Sequence, residues 1–456
     1  MANFYQAKKN IQTSHKHQVV TIEKLDHQGT GIAYFNKKPM FVEGTLPNEE
    51  VVVQPIEDKS KFIRAKLITI QKPSSQRIDA FCPHYQTCGG CNLQHLGHDD
   101  QIAMKSESLA QIMNKFSEKP ISLDATIRSE RLGYRRRARI SLVFDNKKQA
   151  LQFGFREKGS KHIANVTNCP VLEPALNALL PEIKSILSSF SQPRQLGHVE
   201  LVFDGKRKAV LLRHTADLSD IEQQRLIDFA KQTEATMYLL PNSGELHCLI
   251  GEPLQCVETG NKIDFLPTDF IQINQGVNKA MVEQAVSWLE VTKTDRVLDL
   301  FCGLGNFSFA LAQKAQCVVG VEGVQAMVDR ARSNAQINQL DNIEFHQADL
   351  EQDFTRNDWA INRFDKIVLD PARAGATGVI DKIAKLGAKS VVYVSCNPST
   401  LARDSQSLYQ QGYELKKLAM MDMFPHTSHL ESMALFVKTS NGKKKSGKKP
   451  RSIKLF

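Results

Sequence analysis

Cys396 closes the apolar run Val391-Val-Tyr-Val-Ser395 and is followed by Asn397-Pro398, while Asp370 closes Lys366-Ile-Val-Leu369 and is followed by Pro371. If these runs are neighbouring parallel strands, residues at their carboxyl ends face a ligand crevice. A lone cysteine is most often a small buried hydrophobe. A thiol at a strand end has another use: as thiolate it adds covalently to an electron-poor carbon. Reversing such an addition requires a base to remove a proton. The stretch Met423-Phe-Pro-His-Thr-Ser-His-Leu-Glu-Ser432 offers Glu431, with His426 and His429 as weaker alternatives. The competing reading of Glu431 is a surface acid that opens the last strand, Ser432-Met-Ala-Leu-Phe-Val437.

A second constellation binds rather than reacts. Val297-Leu-Asp-Leu-Phe-Cys-Gly-Leu-Gly-Asn-Phe-Ser308 reads as a strand, a glycine-bearing loop and a helix start. Gly303 and Gly305 allow backbone to approach a ligand where a Cβ would collide. Glu322 ends the next strand, where an acid can accept both hydroxyls of a ribose. Asp349 follows the third, within reach of an adenine amino group. The loop lacks the third glycine of the dinucleotide fingerprint, and Asp299 ahead of it would repel a pyrophosphate. It suits instead the ammonium of a zwitterionic amino-acid moiety.

Three thiols fall close together in Cys82-Pro-His-Tyr-Gln-Thr-Cys88-Gly-Gly-Cys91. Cys169, in Val166-Thr-Asn-Cys-Pro170, is the candidate fourth ligand, flanked by turn residues and a proline. Spacing alone leaves zinc and an iron–sulfur cluster equally open, because both accept four thiolates.

The elements that must position these residues follow from patterning. Residues 12–71 hold five short β-like runs, from Val19-Val-Thr-Ile22 to Ala65-Lys-Leu-Ile-Thr-Ile70, and read as a small all-β barrel. Its Lys37, Lys38, Lys59, Lys61, Arg64 and Lys66 are an RNA surface or a solvated face with equal weight. Residues 72–264 mix strand-like and helix-like segments, an α+β central domain. Helical patterning runs from Asp99 to Phe116. The basic run Arg135, Arg136, Arg137 and Arg139 is either a phosphate-binding patch or a charged edge strand. Residues 265–440 alternate βα units, which predicts an α/β domain with a doubly wound parallel sheet. The tail 441–456 is too charged to fold alone and reads as a mobile basic arm.

With 456 residues the chain has room for several domains, and its net charge of +10 points weakly to a polyanionic partner. No apolar run is long enough to span a membrane or to serve as a signal peptide. Nine dispersed cysteines fit a reducing cytoplasm better than a disulfide framework. A cytoplasmic monomer is the expectation.

The glycine loop with Asp299, Glu322 and Asp349 resembles the S-adenosylmethionine site of class I methyltransferases. Leu369-Asp-Pro-Ala-Arg373, Ser395-Cys-Asn-Pro398 and His429-Leu-Glu-Ser432 are similar to the signature segments of the RNA uracil-5-methyltransferase family. That resemblance implies Cys396 as nucleophile, Glu431 as base, and Gln272, Phe301, Asn306, Glu322, Asp349 and Asp370 as cofactor residues. Gln272 comes from the resemblance alone. The chemistry agrees: uracil C5 is a weak nucleophile until a thiolate adds at C6. Asp370-Pro-Ala-Arg373 departs from the Asn/Asp-Pro-Pro-aromatic motif of amino-group methyltransferases.

The cysteine motif resembles the [4Fe–4S] site of the ribosomal branch of this family, implying Cys82, Cys88, Cys91 and Cys169 as its ligands. Ile22-Glu-Lys-Leu-Asp-His-Gln-Gly-Thr-Gly-Ile-Ala33 and Phe41-Val-Glu-Gly-Thr-Leu-Pro-Asn-Glu-Glu50 look like a TRAM domain, an RNA-binding barrel related to OB-folds. The three-part layout implies 23S ribosomal RNA as the partner, with the target base flipped into the site. The alternatives are another ribosomal or transfer RNA uridine, an RNA 5-methylcytosine methyltransferase, or a non-catalytic RNA-binding protein. The 5-methylcytosine enzymes carry cysteines in Thr-Cys and Pro-Cys settings, unlike the Ser-Cys-Asn-Pro here.

Overall fold

The computed structural model describes residues 17–117 and 120–439. The basic tail 441–456, and the start of the 12–71 segment, lie outside the described residues. The chain forms two compact units: residues up to Ser108 together with His426–His429, and Leu109–Pro425 together with the residues from Leu430 onward.

Among the described residues the first unit contains six strands rather than the expected five: β1 (Gln18–Thr21), β2 (Lys24–Leu25), β3 (Gly31–Phe35), β4 (Lys38–Val42), β5 (Glu50–Asp58) and β6 (Ile63–Lys72). They pair in the order β1-β5-β6-β4-β3-β2. Alternate residues, among them Val20, Ala33, Met40, Val42, Val51, Val53, Ile63 and Ala65, face one small core. Asn36 and Lys37, both at positive φ (50° and 63°), make the two-residue turn between β3 and β4. Glu49 fastens the chain leaving the sheet: its buried carboxylate takes the Arg77 guanidinium at 2.5 and 2.8 Å and the Leu46 and Ser74 amides. Burial works against the charge, but these bonds hold the carboxyl below its ordinary range. The cysteine loop follows, and then helix α1 (His98–Asn114) begins.

In the second unit β7 (Arg137–Asp145), β8 (Ala150–Arg156), β9 (Ile163–Asn165), β10 (Leu196–Phe203), β11 (Lys208–His214), β12 (Ala235–Leu240) and β13 (His247–Ile250) form a sheet in the order β13-β12-β11-β10-β7-β8-β9. One face packs on α2 (Pro174–Asn177), α3 (Leu180–Ser188) and α4 (Asp220–Thr233) through Leu176, Ile183, Leu187, Leu226 and Phe229. The other face, with Val202, Leu211 and Tyr238, shares a core with the hairpin β14 (Leu254–Glu258) and β15 (Asn261–Phe265) and with Leu304, Phe309 and Val328. The α+β sheet and the glycine-bearing loop are therefore bound by one continuous apolar contact.

The last sheet comprises β16 (Arg296–Leu300), β17 (Cys317–Glu322), β18 (Ile343–Gln347), β19 (Lys366–Leu369), β20 (Ser390–Ser395), β21 (Tyr413–Met421) and β22 (Glu431–Lys438). Its order is β18-β17-β16-β19-β20-β22-β21, with only β22 running against the rest. The intervening helices are α5 (Gln275–Leu289), α6 (Ser308–Ala312), α7 (Gln325–Ile337), α8 (Asp358–Ile361) and α9 (Pro398–Gln410). Val392 and Val394 join the α5 core, whereas Tyr393 donates to Asp404 of α9 at 2.7 Å. Alternation along β20 therefore puts α5 and α9 on opposite faces, the doubly wound arrangement expected. Among the described residues, no helix is long and apolar enough to cross a membrane.

Candidate active site

The expected cofactor residues converge at the carboxyl edge of the parallel strands. Asp299, on β16, is fully buried and accepts the Ser308 hydroxyl at 2.5 Å. Burial, reinforced by the neighbouring charges of Asp370 and Glu322, pushes its carboxyl up to about 7. Asp370, immediately after β19, is likewise pushed up to about 7 by burial. Phe301 holds φ 66°, a left-handed conformation that costs a bulky residue energy and marks a functional loop. Glu322 is pinned at the end of β17 by the amides of Gly303 (3.1 Å), Gly323 (2.8 Å) and Val324 (3.1 Å). Three N–H donors fix the direction of this carboxylate, as a ribose acceptor requires. Asp349 is exposed beyond β18, where it caps the Glu351 amide at 2.9 Å.

The two glycines serve different ends. A Cβ on Gly305 would lie 2.7 Å from the Phe309 ring, so this glycine allows the loop to close onto α6. At Gly303 the nearest atom would be Met327 Cε at 3.5 Å, and it is the φ of 56° that favours glycine.

Asn278 and Glu258, which no local pattern marked, tie this loop to the central sheet. Asn306 and Asn278 of α5 exchange side-chain hydrogen bonds at 2.9 and 3.0 Å. Asn278 also donates to Glu258 at 2.7 Å, and Glu258 pairs with Arg136 at 2.5 Å with both side chains buried. Arg136 Nε in turn donates to the Gln272 carbonyl at 2.7 Å, and its amide to the Ile273 carbonyl at 2.9 Å. One chain of polar contacts thus sets both Gln272 and Asn306.

This corrects the edge-strand reading of the arginine run. β7 lies inside its sheet between β10 and β8, not at an edge. Arg137 pairs with Glu200 at 2.6 Å and donates to the Pro267 and Asp269 carbonyls, while Arg135 donates to the Arg137 carbonyl at 3.0 Å. Arg139, exposed, meets His198 at 3.0 Å. Buried charge requires internal partners, and Arg136 has one in Glu258, as the half-buried Arg137 has in Glu200. The barrel's basic face is also partly self-paired, through Lys38–Asp58 (2.5 Å) and Lys59–Glu57 (2.8 Å).

Cys396 follows β20 in a tight turn: Ser395 Oγ donates to the Asn397 carbonyl (3.0 Å) and accepts the Asn397 amide (3.2 Å). Asn397 then caps α9, accepting the Ser399 amide at 3.1 Å, and donates to the Arg373 carbonyl at 3.3 Å. On the neighbouring strand Ser432 pairs with Ser395, so Glu431 stands at the position facing Cys396. Burial, then the charges of Glu431 and Asp370, push the thiol up to about 11, with Arg373 opposing. His426, the alternative base, is buried and bonded to Gln101 within the first unit.

Cys82, Cys88, Cys91 and Cys169 are each half-buried. The Gly90 amide donates to Cys88 Sγ at 3.4 Å. Tyr85, buried between them in sequence, meets His95 Nδ1 at 2.5 Å. Among the described residues, no group of three or more His, Cys, Asp or Glu side chains gathers closely enough to hold a metal ion.

The family described as tRNA (Uracil-5-)-methyltransferase matches residues 97–439, and the TRAM domain matches residues 14–68. A Vibrio cholerae serotype O1 (strain M66-2) protein named 23S rRNA (uracil(1939)-C(5))-methyltransferase RlmD is 58% identical over 438 residues, 96% of this chain and 100% of that one. Proteins of the same name from Vibrio parahaemolyticus (strain RIMD 2210633) and Aliivibrio fischeri (strain ATCC 700601 / ES114) are 57% and 50% identical, again over 96% of this chain and 100% of theirs. The solved Pyrococcus abyssi tRNA (uracil-54, C5)-methyltransferase in complex with S-adenosyl-L-homocysteine superposes with a TM-score of 0.73. It covers 92% of this chain and 100% of its own at 23% identity, a likeness of fold.

Proposed function

The chain belongs to the tRNA (uracil-5-)-methyltransferase family, and from that premise we propose that it forms 5-methyluridine in 23S ribosomal RNA, at the uridine 1939 that its full-length relatives' names carry. The observation that carries the reading is the strand register that sets Glu431 against Cys396 at the mouth of an S-adenosylmethionine fold. Membership in a uracil-5 family also removes the 5-methylcytosine and non-catalytic alternatives.

S-adenosylmethionine, when bound, supplies the electrophilic methyl group. Gln272, Phe301, Asn306, Glu322, Asp349 and Asp370 would hold it, Glu322 accepting from its ribose and Asp370 and Asp299 offering negative charge to its cationic end. Cys396 Sγ adds to C6 of a flipped uracil, which makes C5 nucleophilic toward the methyl group. Glu431 then takes the C5 proton, the C5–C6 double bond re-forms and the thiolate leaves. A protonated thiol cannot begin this sequence, and burial, then the charges of Glu431 and Asp370, hold Cys396 up to about 11.

We extend the proposal to a [4Fe–4S] cluster on Cys82, Cys88, Cys91 and Cys169. The support is the donor type alone, four half-buried thiols of the kind that hold such a cluster, since the described side chains do not gather closely enough to hold a metal ion. Bound there, the group would supply a rigid anchor for its loop, with every iron capped by protein sulfur. Iron and sulfide analysis with Mössbauer spectroscopy on anaerobically purified protein tests it; an iron-free, fully active protein overturns it. The same reading divides the chain into an RNA-binding barrel at 12–71, a central domain at 72–264 and a catalytic domain at 265–440, working as a cytoplasmic monomer on RNA.

The decisive experiment mixes the protein with S-adenosylmethionine and 23S RNA fragments in which 5-fluorouridine replaces uridine. Fluorine cannot leave C5 as a proton does, so a covalent complex should accumulate and map to Cys396 by mass spectrometry. Absence of the adduct, with cofactor bound, overturns the mechanism. An adduct only on fragments lacking uridine 1939 overturns the site assignment.

A further inference from the structure

The connection between β21 and β22 passes through His426–His429, which belong to the N-terminal unit. There the cysteine loop grips them. The His426 carbonyl accepts the amides of Asn92 (3.1 Å) and Leu93 (3.0 Å), the two residues after Cys91. The His426 amide donates to Gln101 Oε1 at 2.8 Å, and Gln101 Nε2 lies 3.3 Å from its ring Nδ1. Asn92 and Ser428 bond reciprocally: the Ser428 amide donates to Asn92 Oδ1 at 2.9 Å, and Asn92 Nδ2 to Ser428 Oγ at 3.1 Å. Gln101 is itself moored to the Leu93 (3.1 Å) and Leu96 (2.8 Å) carbonyls. Phe81, one residue before Cys82, stands edge-on to the His426 ring at 4.9 Å.

His426 holds φ 65° and is buried, a left-handed residue of the kind that persists only where its surroundings over-determine it. Every contact just described comes from the cysteine loop or the first turn of the helix that follows it. The gripped segment ends two residues before Glu431.

We propose that the cysteine loop, acting through Asn92 and Gln101, is a clamp that fixes the chain entering β22 and so the aim of Glu431. Asn92 and Gln101 are positioning residues, and the inference rests on Glu431 being the proton acceptor. It assigns the loop and its thiols a part in one particular step. Once C5 is methylated, the C5–H bond breaks, its proton passes to the Glu431 carboxylate, and its electron pair forms the C5–C6 double bond. As that double bond forms, the C6–S bond breaks and its pair returns to Cys396 as the thiolate. A poorly aimed base slows only this step, so the methylated covalent complex should accumulate on ordinary uridine.

The test uses full-length, metal-loaded protein, S-adenosylmethionine and an unmodified RNA fragment, and follows the SDS-resistant protein–RNA complex over time. Asn92→Ala should raise the steady-state complex and slow its decay roughly tenfold, the scale set by a sub-ångström misplacement of a reacting group, with S-adenosylhomocysteine affinity unchanged. Asn92→Asp, which keeps an acceptor for the Ser428 amide, should recover most of the decay rate. Gln101→Met attacks the same segment from outside the cysteine loop and should reproduce the Asn92→Ala effect. Glu431→Gln is the control. If it stalls as the complex while both clamp variants decay at the wild-type rate, the clamp is overturned and the base assignment stands. If Glu431→Gln does not stall, the base assignment falls and the inference with it. Hydrogen exchange on the wild-type protein needs no variant to fold: the His426 and Ser428 amides should be strongly protected, and exchange at open-loop rates overturns the clamp.

Discussion

Glu431 stands close enough to Cys396 for its charge to oppose ionisation of the thiol, and with burial and Asp370 it drives the thiol from its ordinary 9.0 up to about 11. The Cys396 thiol is therefore largely protonated near neutral pH. At pH 8 an ordinary thiol at about 9 has about 100 times the thiolate of one at about 11. Iodoacetamide labelling of Cys396, read by peptide mass spectrometry, should be slow at pH 8 and rise steeply toward pH 11. Glu431→Gln removes one of the opposing charges and should speed labelling at pH 8. Unchanged labelling in that variant would show that the carboxylate does not face the thiol.

Asp299 and Asp370 make cofactor binding a proton-linked event. Both carboxyls are pushed up to about 7, chiefly by burial. A cationic ligand favours their ionised forms, so binding near pH 7 releases protons, and affinity should fall as pH drops from 8 to 6. Calorimetry in buffers of different ionisation enthalpy reads this directly; buffer-independent heats would refute it. The sign for stability is opposite to that of a salt-bridged acid. Each folded-state value exceeds the ordinary 3.8, so the folded chain holds protons that the unfolded chain has lost. The contribution of this pair to cofactor-free stability therefore declines as pH rises from about 4 through about 7.

The Arg136–Glu258–Asn278–Asn306 chain separates two effects by position. Asn278→Ala strips Asn306 of its partner and should weaken S-adenosylhomocysteine binding by about 1–3 kcal/mol, with thermal stability changed less. Glu258→Ala leaves the buried Arg136 guanidinium without its ion pair and should destabilise the fold by about 3–5 kcal/mol. Titration calorimetry and thermal melts on both variants would expose a failure of that ordering.

Gly305→Ala and Gly303→Ala should differ sharply. The first sets a methyl 2.7 Å from the Phe309 ring at φ 96°, combining a clash with strain, whereas the second meets only Met327 Cε at 3.5 Å. The expected cost is about 1 kcal/mol for Gly303→Ala and several-fold more for Gly305→Ala, where α6 must move. Denaturant melts giving equal losses would contradict the packing account of Gly305.

Much of the site could be read locally because strand ends are local. Apolar runs closed by Asp299, Glu322, Asp370 and Cys396 announced a crevice before any strand order was known, and β20 and β22 fall within a residue of the runs expected. The arginine run misled for a related reason. Charge is visible in sequence, but burial is not, and Arg136 is 3% exposed with Glu258 beside it.

By itself, then, the chain of residues determined most element types, the candidate carboxylate acceptors, the candidate nucleophile and the family, because short-range patterning and motif chemistry depend on neighbours in sequence. Tertiary structure alone decided that Glu431 faces Cys396 across two antiparallel strands and that Asn306 is set through Asn278 and Glu258. It also decided that Asn92 grips Ser428 across 336 positions of chain. Such partners are chosen by which surfaces the folded cores bring together, and no window of sequence contains both halves of any of them.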